Sequence, residues 1–213
     1  MSLTLVIGTK RFSSWSLRPW LALKVAGIAF EEVEIALRQP DTKADILKHS
    51  PSGKVPLLDE DGFKVWDSLA ICEYLAERAP MLWPRNVQAR AVARAVAAEM
   101  HSGFMPLRRD CPMDVLGDTP MTGIPDEVAA DLARIDALWS DCRARFGVSG
   151  PFLFGDFSIA DAMYAPVVTR LRTCHLPVGK ASQAYCDAVM ALPAMREWVE
   201  GARTPSDFRP LPS

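Results

Sequence analysis

The amino-acid sequence predicts an α/β domain built on a mixed sheet, followed by a wholly helical domain. Three observations carry that prediction. The first eighty residues alternate short apolar runs with segments of helical periodicity. A proline-rich break, Ala79-Pro80-Met81-Leu82-Trp83-Pro84, ends the alternation. Beyond about Arg85 every periodic segment is helical. The domains are therefore expected at 1–80 and 87–213, with 81–86 as the linker.

The first apolar run, Leu3 to Ile7, reads as a buried strand, and Gly8-Thr9-Lys10 as the turn that ends it. From Leu17 onward, Leu17, Trp20, Leu21 and Val25 recur at helical spacing. Proline is tolerated in the first turn of a helix but costs a hydrogen bond deeper in it, so Pro19 sets the cap between Ser16 and Arg18. Of that range Ser16 has the capping hydroxyl. Ser13 and Ser14 are then left ahead of the helix. Polar loop residues need no function. These two, however, stand at the positive end of a helix, which stabilises an anion or a thiolate.

Gly27 is a helix stop, and Phe30 to Ile35 shows the alternation of a strand. Gln39 to His49 is polar, offers Asp41 or Thr42 as a cap, and has only Ile46 and Leu47 to bury; it reads as a short, lightly packed helix or loop. In Pro51-Ser52-Gly53-Lys54-Val55-Pro56-Leu57-Leu58, Pro56 cannot donate to a sheet ladder. The segment is thus a strand start, an edge or a special turn, and a cis Val55–Pro56 bond would present the Val55 backbone to a neighbour. Asp61-Gly62 signals a hairpin, with Phe63 to Trp66 as the returning strand. Asp67-Ser68 then caps a helix carrying Leu69, Ile71, Cys72 and Leu75, and its N–H groups form a second anion site.

In the second half, Val87 to Met100 and Val128 to Phe146 carry apolar stripes, separated by a loop from Pro106 to Pro125. Ser158-Ile159-Ala160-Asp161 fits a capping box with aspartate in its third position, which opens a helix through Leu171 and makes Asp161 structural. Two short helices follow near Gln183–Met190 and Ala194–Gly201, before a polar, proline-rich tail.

Composition narrows the function classes. A formal net charge of −2 gives no case for nucleic acid or an anionic membrane surface as partner. No apolar run reaches transmembrane length, and the N-terminus lacks a signal-peptide layout, so the cytosol is the expected location. The five cysteines are odd in number, widely spaced and without a C-x-x-C pair, and the three histidines lack metal-ligand spacing; neither a disulfide framework nor a metal site is expected.

Four landmarks, in order and spacing, resemble the cytosolic glutathione S-transferases over nearly the whole chain. They are Ser13-Ser14-x-Ser16-x-Arg18, Val55-Pro56-x-Leu58, Asp67-Ser68-x-Ala70-Ile71-x-x-Tyr74-Leu75 and Ser158-x-Ala160-Asp161. The double serine is most similar to the zeta class, with Trp15 where that class has cysteine. Glu99-Met100-His101-Ser102-Gly103-Phe104 is similar to uncharacterised bacterial members. The resemblance implies a thioredoxin-like first domain, an all-helical second domain, a homodimer, and glutathione as co-substrate for attack on a small electrophile. It also implies site residues. Ser13 or Ser14 donates to the glutathione sulfur, Ser13 by the zeta-class spacing from Arg18 and Ser14 by a theta-like one. Val55 beside cis-Pro56 holds the cysteinyl part, Asp67 and Ser68 the γ-glutamyl end, and Lys54 the glycine carboxylate, with Gln39 and Lys43 as further candidates. The electrophile is expected between the domains, among Phe12, Trp15, Met100, His101, Phe104 and Arg108.

Three further readings compete with conjugation: a zeta-type glutathione-dependent isomerase, a thiol–disulfide reductase, and a non-catalytic binding module. The reductase requires a cysteine at the helix start, where this chain has serine; its nearest cysteine, Cys72, lies inside the helix after Asp67-Ser68.

Overall fold

The computed structural model describes residues 2–204, so the polar tail expected at the C-terminus lies outside the described residues. Four strands form one sheet: β1 (Leu3–Gly8), β2 (Glu31–Ile35), β3 (Leu57–Glu60) and β4 (Phe63–Trp66), in the order β2-β1-β3-β4. The β1–β2 pair is parallel and the other two are antiparallel, which makes the sheet mixed, as the sequence predicts.

Strand alternation divides the sheet between two packing layers. Leu5, Ile7 and Leu58 belong to the main core with α1 (Ser14–Ala26) and α3 (Ser68–Arg78). Val6, Leu57 and Ile35 turn the other way and meet Ile46 of α2 (Thr42–His49). Ile46 is the one buried residue of that helix, so α2 is held lightly. Gly27 ends α1 in the left-handed conformation (φ 68°), where a Cβ would be strained.

A 3₁₀ turn at Pro80–Leu82 leads to the helices α4 (Val87–Ser102), α5 (Met105–Asp110), α6 (Asp126–Phe146), α7 (Ile159–Thr173), α8 (Lys180–Ala191) and α9 (Pro193–Gly201). The helix α5 replaces the start of the expected loop. Pro106 sits in its first turn, where a missing N–H is harmless. The helix α7 is buried along almost its whole length and packs against α1 and α4, so the two halves share one core.

The N-terminus of α1 departs from expectation. The helix begins at Ser14, with Ser13 in the capping position and Pro19 sixth in the helix. Only the bond from residue 19 to the Trp15 carbonyl is forfeited. Continuous burial from Ser16 to Leu23 offsets that loss, a case of tertiary packing overriding a local rule. Ser16 is not the cap. Its hydroxyl turns inward and accepts from the Gly8 N–H at 3.1 Å, tying the end of β1 to the helix.

Candidate functional site

The first turns of α1 and α3 and the segment before β3 converge on one cleft of about 570 Å³. Trp15, Ser52, Lys54, Val55, Pro56, Trp66, Asp67 and Ser68 line it. Its walls follow from local rules. Pro56 stands ahead of β3 and leaves the sheet ladder intact, and the Val55–Pro56 bond is cis. Asp67 adopts a positive φ of 76°, which aspartate tolerates better than most residues. From there its Oδ1 accepts from the N–H groups of Leu69 (2.9 Å) and Ala70 (3.2 Å). The next residue, Ser68, opens α3 with a buried Oγ that has no hydrogen-bond partner among the described residues. A buried hydroxyl left unpaired is costly, and one at a helix N-terminus suits a carboxylate.

All five residues expected to bind the tripeptide, Lys54, Val55, Pro56, Asp67 and Ser68, therefore lie on one cleft. The structure adds Trp66 and Ser52 to its wall. Trp66 is the last residue of β4, half exposed beside Asp67; its signal in the sequence is a large aromatic immediately before a helix cap. Lys43 is engaged elsewhere, donating to the Gly53 carbonyl at 3.1 Å.

The two serines behave differently from each other. Both are largely buried, at 5 % and 8 % exposure, and the cleft wall on this side is Trp15, the residue after them. Ser13 Oγ donates to Ser16 Oγ at 2.7 Å, so its proton points into the protein. Among the described residues no hydrogen bond engages the Ser14 hydroxyl, which sits on the first turn of α1.

The expected electrophile residues separate into three groups. Trp15, His101 and Arg108 meet across the two halves. The His101 ring packs edge-on against Trp15 at 5.3 Å between centroids, and the Arg108 guanidinium lies 4.8 Å from the same ring. His101 Nε2 also reaches Asp67 Oδ2 at 3.1 Å. Burial lowers the His101 pKa, with Asp67 opposing and the charges of Arg18 and Arg108 assisting. Met100 and Phe104, by contrast, are buried in the main core and line neither this cleft nor its neighbour. Met100 is buried from α4, whereas Phe104 lies past the end of that helix with a left-handed backbone (φ 59°) ahead of α5. Phe12 lines a second cleft of about 540 Å³ with Arg38, Met113 and Met121, where Arg38 stacks on it at 4.2 Å. The neighbouring Arg11 pins that loop to the second half by a 2.7 Å pair with Asp114.

Cys72 is fully buried, and burial pushes its thiol well above the usual range despite the nearby Arg18 charge. It is a poor nucleophile in the folded state. Its reaction with an aromatic disulfide reagent is expected only on unfolding; rapid labelling of Cys72 in the native protein would reopen the reductase reading.

Comparison with known proteins follows the same lines. The glutathione S-transferase N-terminal domain family matches residues 12–78, and its C-terminal domain family matches 124–201. The chain is 32 % identical over 161 residues to the maleylacetoacetate isomerase of Rattus norvegicus, covering 73 % of this chain and 71 % of that one. It is 30 % identical over 154 residues to the theta-1 glutathione S-transferase of Mus musculus, covering 67 % and 62 %. Among solved structures, a Burkholderia glutathione transferase homologue with bound glutathione superposes at a TM-score of 0.70 and 25 % identity, covering 95 % of this chain and 98 % of that one. With its α/β half and its helical half matching the two domain families in order, the chain belongs to the glutathione S-transferase family.

Proposed function

We propose that the chain is a glutathione transferase whose cleft takes the tripeptide and whose α1 mouth keeps its sulfur anionic for attack on a small electrophile. The observation that carries this reading is the orphaned Ser68 hydroxyl, which shares one cleft with Val55, Pro56 and the Asp67 carboxylate. In this reading the Ser68 hydroxyl and the Ser68 backbone N–H, at the start of α3, take the γ-glutamyl carboxylate. Asp67 takes the ammonium, the Val55 backbone the cysteinyl part, and Lys54 the glycine carboxylate. Ser14 is the hydroxyl available to the sulfur, because Ser13 is committed to Ser16.

Ser68→Ala separates binding from folding. Its hydroxyl has no protein partner to lose, so the unfolding midpoint should hold or rise slightly. Glutathione affinity should fall about tenfold, the loss of one hydrogen bond to a charged group. Unchanged affinity by calorimetry would remove the γ-glutamyl end from this position.

The relatives named maleylacetoacetate isomerase favour a second reading, glutathione-dependent isomerisation, with His101 beside Trp15 as proton donor. Glutathione is consumed in conjugation and regenerated in isomerisation. Stoichiometric loss of free thiol during turnover therefore separates them. The homodimer implied by the family has apolar surface available, since Phe63 (60 % exposed), Met81 and Val87 all face solvent in the single chain. Light scattering at twice the chain mass is the expected result. No helix of the described residues is long and apolar enough to cross a membrane, and we place the chain in the cytoplasm.

A further inference from the structure

Two of the five cysteines stand together. Cys111 closes the C-terminus of α5 and Cys174 that of α7, and both side chains are buried. One residue gathers their backbones. The Arg170 carbonyl accepts from the Cys174 N–H at 2.9 Å, and the Arg170 Nη1 donates to the Cys111 carbonyl. The two thiols share a hydrogen bond. The charged groups acting on Cys72, Cys142 and Cys186 are carboxylates and arginines instead.

The pair is reached from one side. Cys174 is 6 % exposed and lines the second cleft, the one walled by Phe12 and Met121, whereas Cys111 is wholly enclosed. Burial, then the hydrogen bond with Cys174, pushes the Cys111 thiol up to about 12, and the Arg170 charge opposes both. Burial and Arg108 lower the Arg170 pKa to about 10, which leaves it a cation at neutral pH. A disulfide needs its sulfurs at about 2.05 Å, and thiols already in hydrogen-bond contact need only a short approach to reach it. In a reducing compartment such a bridge is transient and not structural.

We propose that Cys174 and Cys111 form an oxidation site, in which a small hydroperoxide entering the second cleft converts the thiol pair to a reversible disulfide joining the ends of α5 and α7. Neither cysteine lines the tripeptide cleft, so the proposal does not depend on the glutathione reading. The outer thiol gives its proton to water, and the Cys174 thiolate attacks one oxygen of hydrogen peroxide. The O–O bond breaks, the second oxygen leaves as hydroxide and becomes water, and Cys174 is a sulfenic acid. The Cys111 sulfur then attacks the Cys174 sulfur. The S–O bond breaks, and the departing hydroxide takes the Cys111 proton as water, beside the Arg170 charge that favours the Cys111 thiolate. The two thiols lose two electrons and two protons, which one hydrogen peroxide takes up to become two waters. Excess thiol reductant reverses the bridge by exchange.

The test is peptide mass mapping of the full chain, reduced, freed of reductant, exposed to hydrogen peroxide and then alkylated in denaturant. Two of the five thiols should be lost, a linked Cys111–Cys174 peptide should appear, and dithiothreitol should restore both. Cys186 is the internal control. It is 7 % exposed on a separate cleft of about 570 Å³, with Asp187 and Asp136 as its charged neighbours. Its exposure matches that of Cys174, so it should stay free at the peroxide dose that pairs the other two. Cys111→Ala should halt the reaction at a Cys174 sulfenic acid, which dimedone traps, and Cys174→Ala should leave Cys111 a free thiol. A native chain that keeps all five thiols at a dose that oxidises free glutathione would overturn the proposal. So would loss of Cys186 as fast as Cys174, or a link between other cysteines. These results are read on the wild-type chain, so they decide the matter even where a variant does not fold.

Discussion

Ser14→Ala is expected to lower kcat/KM at neutral pH by roughly tenfold to a hundredfold, while Ser13→Ala leaves it nearly unchanged. A free thiol titrates near ~8.5, so only a few per cent of it is thiolate at pH 7. A hydroxyl donating to the anion contributes roughly 1.5–3 kcal/mol, about one to two units of thiol pKa. Removing it moves the rate profile toward higher pH by that amount, and the variant should recover most of its rate in alkaline buffer. Ser14 is the residue whose hydroxyl has no partner among the described residues, and it opens α1. The Ser13 hydroxyl instead donates to Ser16, which accepts from Gly8. Its loss should cost about 1 kcal/mol of stability and leave the thiol where it was. Measuring kcat/KM against pH for both variants decides between them. Should Ser13→Ala shift the profile and Ser14→Ala leave it, the zeta-class spacing is the right guide and the hydroxyl geometry is not.

The sequence made that pair conspicuous but assigned the wrong residue to the cap, and the reason is physical. In an isolated helix a proline beyond the first turn ends the helix, and the cap placed from Pro19 follows that rule. In the protein, α1 is buried from Ser16 to Leu23, and packing outweighs the single missing bond. Elements with strong local signals were legible: the Asp61-Gly62 hairpin, the Asp67 cap and the alternation of β2 all stand where the pattern puts them. The grouping of Lys54, Val55, Pro56, Asp67 and Ser68 on one cleft was legible for the same reason, since these residues occupy turns and caps whose chemistry is local. The residues expected to meet the electrophile were not. Met100, His101 and Phe104 share one stretch, yet of the three His101 reaches the cleft-lining Trp15, Met100 turns into the core from α4, and Phe104 lies beyond the end of that helix, because where each side chain points is a tertiary fact. Arg18 was equally opaque. Nothing in its neighbours Leu17 and Pro19 tells a buried, unpaired guanidinium from one that snorkels to water.

Asp161→Ala should be the most destabilising single change near the core. The Asp161 side chain is wholly buried, and its carboxylate accepts from three donors: Leu153 N–H at 3.1 Å, Ser158 N–H at 2.8 Å and Ser158 Oγ at 3.0 Å. Alanine would strand two backbone N–H groups in the interior, at about 1–3 kcal/mol each. The serine hydroxyl can rotate, so it adds less. Relief of the buried charge offsets part of the loss, which leaves about 3 kcal/mol, a large share of the ~5–15 kcal/mol that holds a typical protein folded. Asp161→Asn keeps one acceptor and should lose less. The pH dependence identifies the mechanism. Burial raises the Asp161 pKa to about 6, with the N–H donors of Leu153 and Ser158 pulling the other way. The folded state therefore binds this proton more tightly than the unfolded chain, in which it leaves near ~3.9. Stability from this group is fully present below about pH 4 and is lost as pH rises through about 6. Since the asparagine of the Asp161→Asn variant does not titrate, the stability gap between it and the wild type should narrow over that window in denaturant titrations and then stay constant. A gap independent of pH would mean the carboxyl titrates alike in both states. Activity should fall with stability, because α7 begins at this cap and carries Arg170 to the carbonyls of Arg108 and Cys111 behind the cleft. A loosened cap thus reaches Arg170 and Arg108 through the helix it starts.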